Sequence, residues 1–218
     1  MRNRWVLRTG AVLFLFFLVS LPTTVDGADQ NEALYVAATQ GDLETVRQLL
    51  DAGVPVDAKN ATGWTALMKA SMEGHRPVVQ ELIQRGAEIN MRGRAGWTAL
   101  MQAAQFGHLA IVRILVDRGA ELNGQSVNGS TGLMFAANNG HLETVSYLLN
   151  NGANANLQDK LGRTALILAA AEGHESIVKL LLEQGADATL TNSSGRTARE
   201  IAEREGFSSI ATLLQNPP

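Results

Sequence analysis

Four histidines are the side chains best equipped for chemistry. His75, His108, His141 and His174 each follow a glycine and recur every 33 residues. Imidazoles bind metals or move protons when they converge, and metal ligands must meet within about 2 Å of one ion. Rings carried by successive copies of one unit are instead spaced like packed helices, about 8–10 Å apart. Such a ladder cannot close on an ion. The expected role is structural, a ring that caps or hydrogen-bonds at an inter-helix turn. Glu73, Glu172 and Glu205 also fall on the repeat spacing, which suits a solvated rim better than an acid pair. No Ser, His and Asp stand in a recognisable nucleophilic arrangement, and no GxSxG, HExxH, phosphate loop or calcium loop occurs. The chain has no Cys, so disulfides, Cys-based zinc or iron–sulfur sites and a thiol nucleophile are excluded. The expectation is a protein without catalytic machinery, metal or cofactor.

The elements that would carry these residues repeat at the same interval. Gly63, Gly96, Gly129, Gly162 and Gly195 are 33 apart, as are Thr65, Thr98, Thr131, Thr164 and Thr197. Gly74, Gly107, Gly140, Gly173 and Gly206 keep the same step, with Phe207 in the histidine position of the last copy. A period this long means stacked supersecondary units rather than a closed globule. Within residues 60–92 the pattern is helical. Thr65 caps a short Ala-rich helix that Gly74 stops, and His75 opens a second with Val78, Val79, Leu82 and Ile83 on its apolar face. Pro77 sits in the first turn, and Gly86 ends the helix with a left-handed residue. Small residues in the first helix let neighbouring copies approach. The second helix carries the large aliphatics.

The 218 residues are 45% hydrophobic and 18% charged, with mean hydropathy near zero. This excludes a disordered tail, a collagen or a multi-span membrane protein. The formal charge of −3 and 5% aromatic content argue against nucleic acid as a partner. The N-terminal segment reads as an address. Arg2, Arg4 and Arg8 precede an apolar run from Ala11 to Leu21, and Val25-Asp26-Gly27 provides a cleavage site. The run is shorter than the ~20 residues of a membrane span, so a cleaved signal peptide over 1–27 is expected, with an uncleaved membrane anchor as the weaker alternative. No Cys follows for lipoprotein attachment, and no Arg-Arg pair marks twin-arginine export. Cleavage leaves 15 Lys and Arg against 20 Asp and Glu, a mature charge of −5. The expected location is the periplasm or outside the cell, with no membrane contact after cleavage. Sequons at Asn60, Asn128 and Asn192 would place glycans across the proposed binding face in a eukaryotic secretory pathway, which favours a bacterial periplasm.

These copies resemble the ankyrin repeat. The chain reads GWTALMKASMEGH at 63–75, GWTALMQAAQFGH at 96–108, GSTGLMFAANNGH at 129–141 and GRTALILAAAEGH at 162–174. The tails GAEIN, GAELN, GANAN and GADAT start at Gly86, Gly119, Gly152 and Gly185. The resemblance implies an all-α solenoid of about six helix-turn-helix repeats with short β-hairpin or turn tips, preceded by the signal-peptide helix. A linker over 28–30 leads into the repeat domain 31–218. That domain divides into a degenerate first copy at 31–60, full copies at 61–93, 94–126, 127–159 and 160–192, and a closing copy at 193–218. Asn31 is expected to cap the first helix over 32–40. In the last copy Arg199 replaces a core Leu, and Glu200, Glu203, Arg204 and Glu205 make the polar face of a terminal cap. Asn216-Pro217-Pro218 is read as the stop that leaves the array complete at this end. The copy at 127–159 carries Gly132 where others carry Ala, and is expected to be the softest internal copy.

In the resembled family, the tips and first helices line a concave groove that binds proteins. Carried over, the tips hold Lys59, Arg92, Arg94, Lys160, Arg163 and Arg196 against one anion, Asp159. A cationic ridge on an acidic body favours a partner with an acidic segment. Exposed aromatic and Arg side chains are the usual anchors of such surfaces. The candidate partner-binding set adds Trp64, Met72, Glu73, Trp97, Gln105, Phe106, Asn138, Asn139 and Leu161 to those cations. Phe106 stands out, because a large aromatic beside a helix-ending glycine has little core to fill. Met68, Met101, Met134 and Ile167 read as packing. The function expected is a monomeric, non-catalytic scaffold or adaptor for one protein. An immunity or inhibitor protein against a secreted toxin or envelope enzyme is the alternative.

Overall fold

The computed structural model describes residues 27–215, so the expected signal peptide up to Asp26 and the Asn216–Pro218 stop lie outside the described residues. Twelve helices pair in chain order among those described. The inner members are α1 (Gly27–Gln40), α3 (Ala66–Glu73), α5 (Ala99–Gln105), α7 (Gly132–Asn138), α9 (Ala165–Ala171) and α11 (Ala198–Glu205). The outer members are α2 (Leu43–Asp51), α4 (Arg76–Gln84), α6 (Leu109–Asp117), α8 (Leu142–Asn150), α10 (Glu175–Glu183) and α12 (Ser208–Gln215). Each inner helix packs on the next inner helix and on its own outer partner, giving an open stack rather than a closed core.

Each inner helix after α1 starts the same way. Thr65, Thr98, Thr131, Thr164 and Thr197 sit in extended backbone, and each hydroxyl accepts the amide three residues on. That satisfies one of the helix's orphan donors. Close stacking then follows from side-chain size. Ala37, Ala70, Ala103, Ala136, Ala169 and Ala202 form a column one repeat apart, at 0–2% exposure. A larger residue there would push the inner helices apart. Between the layers, Leu82, Leu115, Leu148 and Leu181 are fully buried beside Val79, Val112, Val145 and Val178.

The histidines do not cap. Each occupies the N-cap position of an outer helix without a side-chain capping bond. Each reaches back one repeat instead. His75, His108, His141 and His174 place Nε2 2.9–3.1 Å from the carbonyls of Thr39, Met72, Gln105 and Asn138. A carbonyl only accepts, so Nε2 carries the proton and donates. The ring then lies against the glycine that ends the previous inner helix. A Cβ at Gly107 would sit 2.5 Å from His141 Nδ1, and the φ of 70° is itself left-handed. The Gly-His pair of the repeat is one interlocking contact made across the repeat boundary.

The tails are tied in a similar way. The amides of Glu121, Asn154 and Asp187 donate to the side-chain oxygens of Asn90, Asn123 and Asn156, and Glu88 donates to Asp57. On the outer face Glu81, with its side chain 8% exposed, accepts from Arg47 of the preceding repeat and from Arg85, which also reaches Asp51. The bond from Arg47, then the charges of Arg47 and Arg85, hold the Glu81 carboxyl below its ordinary pKa although burial pushes it up.

Two expectations change. The first helix begins at Gly27, so 28–30 is helix rather than linker, and Asn31 lies inside α1 instead of capping it. Asp29 in the first turn suits the positive helix end. The tips are turns more than hairpins. Only the isolated bridges Lys59↔Thr65 and Thr191↔Thr197 form, with no strand among the described residues. None of the described helices is long and apolar enough to cross a membrane.

Candidate functional site

The tips are braced by one residue per copy. The amides of Asn60, Gly93, Ser126, Asp159 and Asn192 donate to the carbonyls of Trp64, Trp97, Ser130, Arg163 and Arg196. Where this residue has a polar side chain, that side chain turns inward. Asn60 accepts the amides of Thr62 and Trp64, Asp159 those of Leu161 and Arg163, and Asn192 those of Ser194 and Arg196. Asn60 is a buried sequon asparagine, Asn192 is half-buried, and Asn128 is exposed.

This geometry sorts the six tip cations. Arg163 bonds Asp159, whose side chain is 1% exposed, at 2.7 Å, so it neutralises the only tip anion. Lys59 donates to the carbonyl of Arg92, and Arg92 to that of Gln125. Gln125 and Gln158 continue the series to the carbonyls of Gln158 and Thr191. Lys59 and Arg92 are thus rungs between neighbouring tips as well as charges. Arg94, Lys160 and Arg196 are exposed, and none bonds a carboxylate among the described residues. Leu161 is exposed at its tip.

Behind the tips, the inner helices leave two hollows. The first, of about 430 Å³, is lined by Trp64, Met72, Arg94, Ala95, Trp97, Gln102, Gln105 and Phe106. Six of the fifteen candidate residues therefore meet around one space with almost wholly apolar walls. The second, of about 250 Å³, is lined by Gln105, Ser130, Met134, Phe135, Asn138, Asn139, Arg163 and Leu168. Gln105 belongs to both, and the Trp97 and Phe135 rings, with centroids 4.2 Å apart, stand between them. Phe106 is 45% exposed, and its ring lies nearly parallel to that of His108 with the centroids 6.4 Å apart. Glu73 is set apart from both hollows and is ion-paired to Lys69. The methionine column is core, with Met68, Met101, Met134 and Ile167 at 1–2% exposure.

Phe135 and Leu168 escaped the sequence reading. They share a repeat position with Lys69 and Gln102. That position changes character from copy to copy while its neighbours stay Met or Ile on one side and Ala on the other, which is the signal that it is not a uniform core position; Lys69 and Phe135 are half-buried, Gln102 and Leu168 buried. No three His, Asp or Glu side chains converge as metal ligands among the described residues.

Stacked helix pairs with capped ends and a recessed face under a row of turns define a solenoid protein of the interaction class. More specifically, the family model for ankyrin repeats (3 copies) matches residues 8–93, 34–126, 93–159 and 133–217, and the chain belongs to that family. No curated protein matches the chain. Ankyrin repeats generally mediate protein–protein interaction, and proteins built of them are generally non-enzymatic.

Proposed function

We propose that this chain is a monomeric, non-catalytic binding module, exported to the periplasm or beyond the cell, that holds one partner protein against its concave groove and tips. The observation that carries this reading is the first hollow. It gathers Trp64, Met72, Trp97 and Phe106 beside Arg94, a cation with no carboxylate partner among the described residues. Aromatic and Arg side chains at a concave, desolvating surface are what tight protein recognition uses. The free tip cations add attraction for an acidic segment and speed encounter.

Export is supported by the composition of residues 1–27 and by a chain without thiols. N-terminal sequencing of the protein recovered from cells tests it, with Ala28 expected first.

Binding is tested by cross-linking and co-purification from the cell envelope, comparing wild type with the triple variant Arg94→Glu, Lys160→Glu, Arg196→Glu. The side chains of these three cations form no hydrogen bond or ion pair among the described residues, so the reversals leave the backbone bonds of the tips in place. The partner should be lost while the unfolding temperature stays within a few degrees. Retention of the partner by the folded variant rejects the cationic edge as the binding surface.

A further inference from the structure

We infer that the groove takes an extended segment of its partner with a two-part character. A large apolar side chain, next to a carboxylate, enters the first hollow, and a polar stretch about three residues away crosses the second. This rests on the groove being the binding face and goes on to specify what fills it.

The two hollows differ in chemistry. The first has walls of Trp64, Met72, Trp97 and Phe106, with Arg94 on its edge. At about 430 Å³ it is open to solvent and has room for a large side chain. A large aliphatic or aromatic side chain in it covers Phe106, which is left 45% exposed. The unpaired Arg94 guanidinium then calls for an anion beside that anchor, because a cation desolvated without a partner is costly.

The second hollow is smaller and set with amides. Asn138 and Gln105 lend their backbone carbonyls to His174 and His141, and their side-chain amides bond nothing else among the described residues. The Arg163 guanidinium there is already satisfied by Asp159. This hollow therefore offers hydrogen bonds to a backbone or to polar side chains, and little for a second carboxylate. The hollows are one repeat apart, about 8–10 Å. An extended chain rises about 3.3 Å per residue, so about three residues separate the parts. Gln105 lines both, which makes the path continuous.

The probe is a displayed library of random 12-residue peptides, selected on the purified chain, with the enriched peptides synthesised and titrated. The expected outcome is enrichment of Phe, Trp, Leu or Met adjacent to Asp or Glu, with polar residues about three positions away. Phe106→Ala should weaken such a peptide by about tenfold or more, the scale of an interface anchor. Arg94→Glu should weaken it similarly and remove its salt dependence. Phe106 is half-exposed and outside the core, so its variant is expected to unfold as wild type does. Peptides sensitive to both variants but lacking the pattern overturn this inference and leave the groove as the binding face. Peptides insensitive to both variants overturn the groove reading as well. No enrichment at all counts against the inference. So does self-association in sedimentation that Phe106→Ala abolishes, which would assign the hollow to a second copy.

Discussion

At Gly107 two constraints meet on one Cα. The backbone is left-handed, with φ of 70°, and the His141 ring lies where a Cβ would go. At Gly119 the first constraint holds alone, since φ is 86° but nothing lies within 4 Å. Gly119→Ala should therefore cost about 1–2 kcal/mol, the price of a left-handed non-glycine residue. Gly107→Ala should cost more than that, because the ring must also move and break its bond to the Gln105 carbonyl. Urea unfolding of the two variants measures the difference, and equal losses would mean that the ring moves freely. A second residue-scale outcome concerns Glu81. Its carboxyl is held ionised to lower pH in the folded chain than the ordinary glutamate value of 4.5. Its network therefore stabilises the fold above that value and is lost as pH falls through the lower folded value. Glu81→Gln should be less stable than wild type at neutral pH, and the gap should close on acidification below about pH 4.5. A gap that stays constant with pH would detach the effect from the carboxylate charge.

At the scale of the element, α7 is the anomaly. It opens with Gly132, buried, where α3, α5, α9 and α11 open with Ala. A Cβ there would meet Leu100 at 3.6 Å and Ala104 at 3.7 Å, which is ordinary contact. Gly132→Ala should stabilise the chain by about 0.4–1 kcal/mol. In the wild type, amide exchange should be faster across 127–159 than in the other internal copies. Uniform protection from 61 to 192 would remove the reason for the substitution. The helices were legible because their punctuation is chemical: Thr before, Gly after, small residues in one layer and aliphatics in the other. The start of α1 was not, since nothing in GADQNE distinguishes a linker from the first turn of a helix. Six of the site residues were legible as a row at groove positions. The fates of Lys59, Arg92 and Arg163 were not. Whether a cation is free depends on which carbonyl or carboxylate the neighbouring copy presents, and no single copy encodes that.

At the scale of the whole molecule, the histidine-to-carbonyl bonds recur at a lag of 36 residues, the tail bonds at 31 and the tip-to-tip bonds at 33, so these ties keep one register from copy to copy. Excising residues 94–126 should leave a folded, shorter array in which His141 donates to the Met72 carbonyl in place of that of Gln105. The urea m-value should fall by about one sixth, in proportion to surface lost. The first hollow goes with the excision, so partner capture should be lost although the chain folds. An aggregated product would show that 94–126 supplies something its siblings cannot.

The tie that runs from Lys59 through Arg92, Gln125 and Gln158 to the Thr191 carbonyl has a mechanical meaning. It runs along the row of tips, one bond from each tip to the next. A guest that moves neighbouring tips apart must stretch it, and four links in series divide the extension among them. The row should then yield a little at every step between 59 and 191, and draw the tips back together when the guest leaves.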